Sequence, residues 1–375
     1  MSRERLIAAA GWLMAASPLA AGAVTAEPTF TAQVDAVSLD GEAAQTATEF
    51  RRLRPGLRGR IGPSLTWAAE IDVAEGNLRF TNLQLALAPT ESPLTLVVGQ
   101  VFPPTSLETA STQMSSSFLE RAQLHDVFSS GRRLGAVAAW QRGDVLLSAG
   151  AFGNDVRGSF PPGSRIFALR GVWAPEAGAG RLHIGGNVKW RDSGSTGTLR
   201  YAARQGSALL DTLLLDTGRL PASGDSIAGL ELAGVFGRLS FATEVQRAWL
   251  HNSQAGGPQP GGPHVAGLSQ VTAGYAEIAW YLTPGDRKAY SIGRFGRTRA
   301  QNPLGKGGVG AWQASLRSDW ADAGSRQRIV SASLHWTATD NVRLIAQLSR
   351  IRFEAAGSAD ASQATLLGLR THFIY

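Results

Sequence analysis

Short segments in which apolar and polar residues alternate recur along the chain, and they constrain the fold more than any other feature. From Ser64, Leu65, Trp67, Ala69, Ile71 and Val73 fall on one side, with Thr66, Ala68, Glu70 and Asp72 on the other. From Gly310, Trp312, Ala314, Leu316 and Trp320 oppose Gln313, Ser315, Arg317 and Asp319; from Ile329, Val330, Ala332, Leu334 and Trp336 oppose Ser331, Ser333 and His335. A period of two marks strands with unlike faces, so the fold class is all-β. The oily face is either the core of a soluble sandwich or the lipid-facing side of a barrel whose polar face lines a lumen.

Three features favour the transmembrane antiparallel β-barrel. The segments run about ten to fourteen residues, which suits a tilted crossing of the hydrocarbon layer better than a typical soluble strand. Trp140, Trp173, Trp190, Trp249, Trp280, Tyr281, Trp320 and Trp336 stand at segment ends, as interfacial girdles require. The chain closes on an alternating strand, Gln363 to Tyr375, with Phe373 and Tyr375 on the oily face, which resembles the assembly signal of bacterial outer-membrane proteins. The pattern gives about sixteen strands, from Pro28–Val37 to Gln363–Tyr375, an even number that places both termini on the periplasmic side. Three connections are too long for turns: Pro103–Gly131 and Asp192–Ser226 outside, and Thr283–Gly310 inside. Long segments of this kind fold inward and narrow a pore.

The first residues are a separate object. Arg3 and Arg5, the apolar stretch Leu6 to Ala16, and the small residues before Glu27 read as a secretory signal over 1–26, leaving a barrel domain at 27–375. Cysteine is absent, and no two of the six histidines have the spacing of a zinc motif, so neither a disulfide framework nor a metal site is expected. No cofactor is expected either, since a gradient drives passive transport. The chain carries 36 basic and 29 acidic residues, a net charge of +7, and its only lysines are Lys189, Lys288 and Lys306. Arginine grips oxyanions with a planar fork, which suits small anionic partners. The basic residues are dispersed, with no run that points to nucleic acid.

Phe50 to Ile61 carries the sharpest chemistry. If Leu53, Leu57 and Ile61 face lipid, alternation sends Arg52, Arg54, Arg58 and Arg60 to the lumen. Such a column steps by about 6.8 Å per two residues and hands an oxyanion from one guanidinium to the next. The competing reading is that these arginines balance carboxylates such as Glu70 and Asp72 on the next strand.

The order Phe50-Arg51-Arg52-Leu53-Arg54, Val98-Gly99-Gln100, Phe118-Leu119-Glu120-Arg121-Ala122, Gly131-Arg132-Arg133-Leu134-Gly135 and Ala151-Phe152-Gly153 resembles the phosphate- and polyphosphate-selective porins of Gram-negative outer membranes. Asn302 to Gly308 with Ala311-Trp312, and Asn341-Val342-Arg343-Leu344, extend the likeness over nearly the whole mature chain. The resemblance implies a sixteen-stranded outer-membrane barrel embedded in lipid, usually a homotrimer, narrowed by two inward loops and one inward periplasmic segment. It places Arg51 and Arg52 at the constriction and Arg132 and Arg133 as a later pair. The family lines its periplasmic vestibule with lysines; with three lysines in all, Arg294, Arg297 and Arg299 have to replace them here. Hydroxyls from Ser111 to Ser117 are available to a transiting phosphate. The expected function is a passive phosphate or polyphosphate channel, with a general anion or small-solute porin as the alternative.

An enzyme is the poorer class. Gly224-Asp225-Ser226-Ile227 echoes the start of an esterase block, but no partner histidine follows in a recognisable motif. Gly305-Lys306-Gly307-Gly308 lacks the glycine and hydroxyl of a phosphate-binding loop.

Overall fold

Sixteen long strands make up the barrel: β1 (Val24–Gly41), β2 (Gln45–Ile61), β3 (Leu65–Asp72), β4 (Arg79–Leu87), β5 (Leu94–Val101), β6 (Arg133–Arg142), β7 (Val145–Phe152), β8 (Arg165–Trp173), β9 (Gly180–Asp192), β10 (Gly224–Phe236), β11 (Leu239–His251), β12 (Gln270–Tyr281), β13 (Ala311–Ala323), β14 (Ser325–Thr337), β15 (Val342–Glu354) and β16 (Ala361–Ile374). The computed structural model describes residues 24–41, 44–74, 76, 78–210, 213–253, 267–358 and 360–375. Most of the expected signal lies outside these; Val24, Thr25 and Ala26 continue β1 opposite Ile61, Arg60 and Gly59.

Each strand pairs antiparallel with the next, and β1 closes on β16 from Thr31↔Ile374 to Gly41↔Ala364. Closure leaves no sheet edge, which is the condition for strands to cross hydrocarbon. No helix among the described residues is long and apolar enough to span a membrane. Several turns on the side of the termini are tight. In one of them Gly237 takes a positive φ, which glycine adopts without steric cost.

The burial pattern is the reverse of a soluble protein. Leu230, Leu169, Leu316 and Leu348 are exposed on the outer wall, while Asp35, Gln327, Glu231 and Asp319 are buried inside. Trp312 and Trp336 stack at 5.3 Å near the periplasmic rim, and Trp320 marks the opposite level of the same wall. Trp312 and Trp320 are roughly 27 Å apart along the strand at 3.4 Å per residue, consistent with aromatic girdles bounding an apolar band.

The lumen is partly filled by the long connections. Residues 102–132 contribute two short helices, α1 (Leu107–Ala110) and α2 (Gln123–Phe128), which bury Leu107, Leu124, Val127 and Phe128. Leu107, Leu124 and Phe128 pack with Tyr201 and Tyr275; Leu119 packs with Val37, Leu209 and Ile345. These are the two larger apolar clusters among the described residues, and a smaller one gathers Val101, Phe152 and Ile166.

Candidate anion constriction

The inward loop is held to one side of the barrel by its own backbone. Glu244 on β11 accepts the N–H groups of Leu107 (2.9 Å) and Glu108 (2.7 Å) at the start of α1. Asp319 on β13 accepts from Gln123 N (3.0 Å) and Gln347 on β15 from Leu119 N (2.8 Å). Lys189, Gln246, Ser333 and Arg370 donate to loop carbonyls of Phe128, Thr105, Ser117 and Leu119. A buried irregular segment needs such partners for every polar group. Because the ties come from β9, β11 and β13–β16, the opening is left between the loop and β1–β4.

Across that opening stands β2. The register with β1 slips between Gln33 and Val34, so that Gln33 faces Arg52, Val34 faces Phe50, and Arg51 has no opposite number. Strict alternation would send Arg51 to the lipid side with Leu53. The bulge turns it inward instead, so two consecutive arginines enter the lumen. Arg51 Nε donates to Glu120 Oε1 at 2.9 Å. Arg52 Nη1 donates to Gln33 Oε1 at 2.7 Å, and its buried Nε has no hydrogen-bond partner among the described residues. Arg54 Nε donates to Asp72 Oδ2 at 2.8 Å, with Glu70 at 3.8 Å.

These side chains line a constriction of about 430 Å³ that continues outward into a vestibule of about 1100 Å³; Arg51, Arg52, Arg54, Arg132 and Arg204 border both. Arg132 stacks over the Phe102 ring, 4.3 Å from its centroid, and takes part in no ion pair among the described residues. Burial, reinforced by Arg54, holds its guanidinium below the usual range. Six arginines and three carboxylates border the constriction, which leaves the opening positive. Glu120 is pushed up by burial but pulled further down by Arg51 and Arg370, and stays ionised. Burial, with Arg121 and Arg204, depresses His125, which is neutral at pH 7.

The other expected site residues lie elsewhere. Gly56 interrupts the arginine column, and Arg58 and Arg60 border a separate recess of about 350 Å³ towards the periplasmic rim. Arg58 is exposed and sits 3.4 Å from Glu27, while Arg60 donates to Pro63 O at 2.7 Å. Arg133 lines none of these spaces: it is buried, donates to Gly153 O and Ser164 Oγ, and lies over the Phe160 ring. Its fork braces the external connection 153–164. Arg297 and Arg299 border an inner vestibule of about 800 Å³ together with Arg181, Arg287 and Lys288, whereas Arg294 is exposed and outside that lining. Of the hydroxyls between Ser111 and Ser117, Ser111 accepts from Phe295 N and Ser117 bridges Lys288 and Glu277. Ser111 and Ser117 thereby join the external loop to the periplasmic segment, while Ser111 and Thr112 also border the constriction.

Sequence reasoning missed Arg121 and Arg204, the two loop arginines of the constriction. Arg204 arrives on the connection 193–223, paired with Asp126 at 2.6 Å. Only the length of that connection hinted at it. The periplasmic segment reaches the wall where Arg170 donates to Gly293 O at 2.8 Å; Gly293 has a positive φ and a Cβ there would meet Leu146 at 2.5 Å.

A closed barrel with an oily exterior, a polar lumen and loops folded into a positive narrowing is an outer-membrane porin. The similar solved structures include OmpT of Vibrio cholerae, with a TM-score of 0.56 at 10% identity over 96% of this chain and 100% of that one. An anion-selective porin from Comamonas acidovorans gives 0.55 at 11% identity over 93% and 100%. The family model described as phosphate-selective porin O and P matches residues 29–375, and the chain belongs to that family. A protein of Caulobacter vibrioides is 30% identical over 330 residues, 82% of this chain; the matched stretch spans 63% of that relative's length.

Proposed function

We propose that this outer-membrane channel passes small oxyanions, with phosphate or polyphosphate as the preferred class, and that Arg52, Arg132 and Arg121 are the groups that engage them. The observation that carries this reading is a set of lumenal guanidiniums with no ion pair among the described residues: there Arg52 donates to Gln33, Arg132 lies over the Phe102 ring, and Arg121 donates to the carbonyls of Glu108 and Ser111. Each retains charge for a ligand, and each hydrogen bond to an oxyanion contributes roughly 1.5–3 kcal/mol. Arg297 and Arg299 draw anions at the periplasmic end. Membership in a phosphate-selective family supports the choice of phosphate.

The general anion porin is the second reading. It is favoured by the pairing of Arg54 with Asp72 and of Arg58 with Glu27, half of the expected column, and of Arg51 beside it with Glu120. Single-channel recording in planar bilayers separates the two. Phosphate that blocks chloride current at low concentration supports the specific channel; chloride current indifferent to phosphate supports the general one.

We infer further that the chain is exported with its leader removed near Glu27, and that it assembles as a homotrimer. The short strands β3–β8 form a low wall suited to contact between copies. A solved form of Vibrio cholerae OmpT is described as a trimer. Chemical cross-linking in native membranes tests the assembly.

A further inference from the structure

The lipid-facing wall carries a charge arrangement that ion passage does not use. On the outward face, near the extracellular ends of β14 and β15, stand Arg326, Arg328, Arg350 and Arg352. The register sets Arg328 directly opposite Arg352 and Val330 opposite Arg350. Like charges at directly opposed positions destabilise a sheet. Around them Arg352 pairs with Glu354 at 2.9 Å, Arg326 with Asp322 at 2.9 Å, and Arg350 donates to Thr365 Oγ1 at 2.7 Å. Arg328 has no hydrogen bond or ion pair among the described residues.

The depth of this patch follows from the same register. One rung runs from Gly274 to Trp320, from Trp320 to Arg328, from Arg328 to Arg352 and from Arg352 to Gln363. The Trp320 ring lies over Gly274, where a Cβ would come within 2.4 Å of it. Tryptophan at the end of a lipid-facing strand sits at headgroup level. The arginine pair therefore lies in the headgroup layer of the outer leaflet, on the side of the wall away from the lumen. The short-strand wall of β3–β8 is elsewhere on the circumference.

We propose that this face binds a phosphorylated lipid headgroup of the outer leaflet, with Arg328 and Arg352 holding one phosphate between their guanidiniums and Arg350 at its edge. A phosphate removes the cross-strand repulsion and accepts from both planar forks. The lipid is the source because the rung faces the bilayer and lies outside the lumen and its vestibules.

The test uses the full-length barrel in phosphatidylcholine nanodiscs doped with bisphosphorylated lipid A or with its dephosphorylated counterpart, and reads lipid retained on extraction into detergent by native mass spectrometry. The wild type retains the phosphorylated lipid and releases the other. The double variant Arg328→Gln, Arg352→Gln loses about tenfold in retention, the loss expected when a charge-assisted contact is removed. Arg328→Lys with Arg352→Lys recovers part of it, and single-channel conductance is unchanged in both. Equal retention of the two lipids by the wild type overturns the proposal without recourse to a variant. So does undiminished retention in the glutamine variant, or displacement by inorganic phosphate, which would make it a free-anion site. A change of oligomeric state in lipid-free detergent would mark the patch as an interface between copies and overturn it equally.

Discussion

Glu120 of the inward loop lies 2.9 Å from Arg51 on β2 and 3.3 Å from Arg370 on β16, so one carboxylate bridges the bulge of the wall to the barrel's closing strand. The loop thereby supplies a carboxylate of its own to the arginine-lined constriction. Replacing it by Gln keeps the shape and removes the charge. We expect Glu120→Gln to relieve Arg51 of this carboxylate, to tighten phosphate block of chloride current by about tenfold, the yield of one charge-assisted contact, and to lower phosphate throughput as exit slows. Unchanged block in single-channel recordings would show that Arg51 does not meet the ion.

The same bridge has a pH signature. Burial alone would raise the Glu120 carboxyl above its ordinary 4.5; Arg51 and Arg370 bring it well below. A depressed acid stabilises the folded state above its unfolded value, and the contribution is lost as pH falls through the folded one. Thermal unfolding of wild type against Glu120→Gln should thus show a constant gap from pH 7 down to about 4.5, narrowing only in stronger acid. A gap that closes between pH 7 and 5 would contradict the arrangement.

Among the described residues neither Arg52 nor Arg132 forms an ion pair, whereas Arg54 pairs with Asp72. Arg52→Ala with Arg132→Ala should weaken phosphate block by an order of magnitude or more, at roughly 1.5–3 kcal/mol per contact, and shift reversal potentials in a KCl gradient towards cations. If the arginines act only as a distant field, salt erases the difference over the ~8 Å Debye length. Anion preference retained at both low and high salt would remove these residues from the site.

Loop position rests on wall carboxylates and amides rather than on apolar contact alone. Asp319→Ala and Gln347→Ala withdraw the acceptors for Gln123 N and Leu119 N. Each leaves a buried N–H unpaired, at a cost of about 1–3 kcal/mol. Current noise and open-state substates should increase in Gln347→Ala while the barrel's resistance to heat in detergent stays near wild type; the double variant adds the loss of the carboxylate 2.8 Å from buried Arg317 and should be less resistant to heat. A quiet channel would mean that the apolar packing of Leu119 and Leu124 suffices.

The strands were legible because a period of two survives any lumen content, and each of the sixteen expected segments coincides with a strand of the barrel. The inward loops were legible only as lengths. What alternation could not reveal was Arg51, since a one-residue bulge reverses facing without changing composition. Nor could it separate Arg132 from Arg133: neighbours in sequence, one faces the lumen over Phe102 and the other is buried over Phe160. Arg204 was hidden because its partner Asp126 is on a different connection, and no local pattern encodes a contact between two loops.

The seam between β1 and β16 is bonded like any other rung, and beyond it Phe30 N donates to Tyr375 O at 3.0 Å while Tyr375 N donates to Phe30 O at 2.8 Å. Phe30 of β1 and Tyr375 are thus geometric neighbours, and the ring of strands is held by the same backbone pairing all round. A circular permutant joined across Phe30 and Tyr375 and opened at Gly237-Arg238 would form the same ring of strands. Its last strand would then be β10, finishing on Phe236, which also ends in an aromatic residue at the periplasmic rim. The form of the finished ring therefore rests on the pairing of neighbouring strands and not on which strand comes last in the chain.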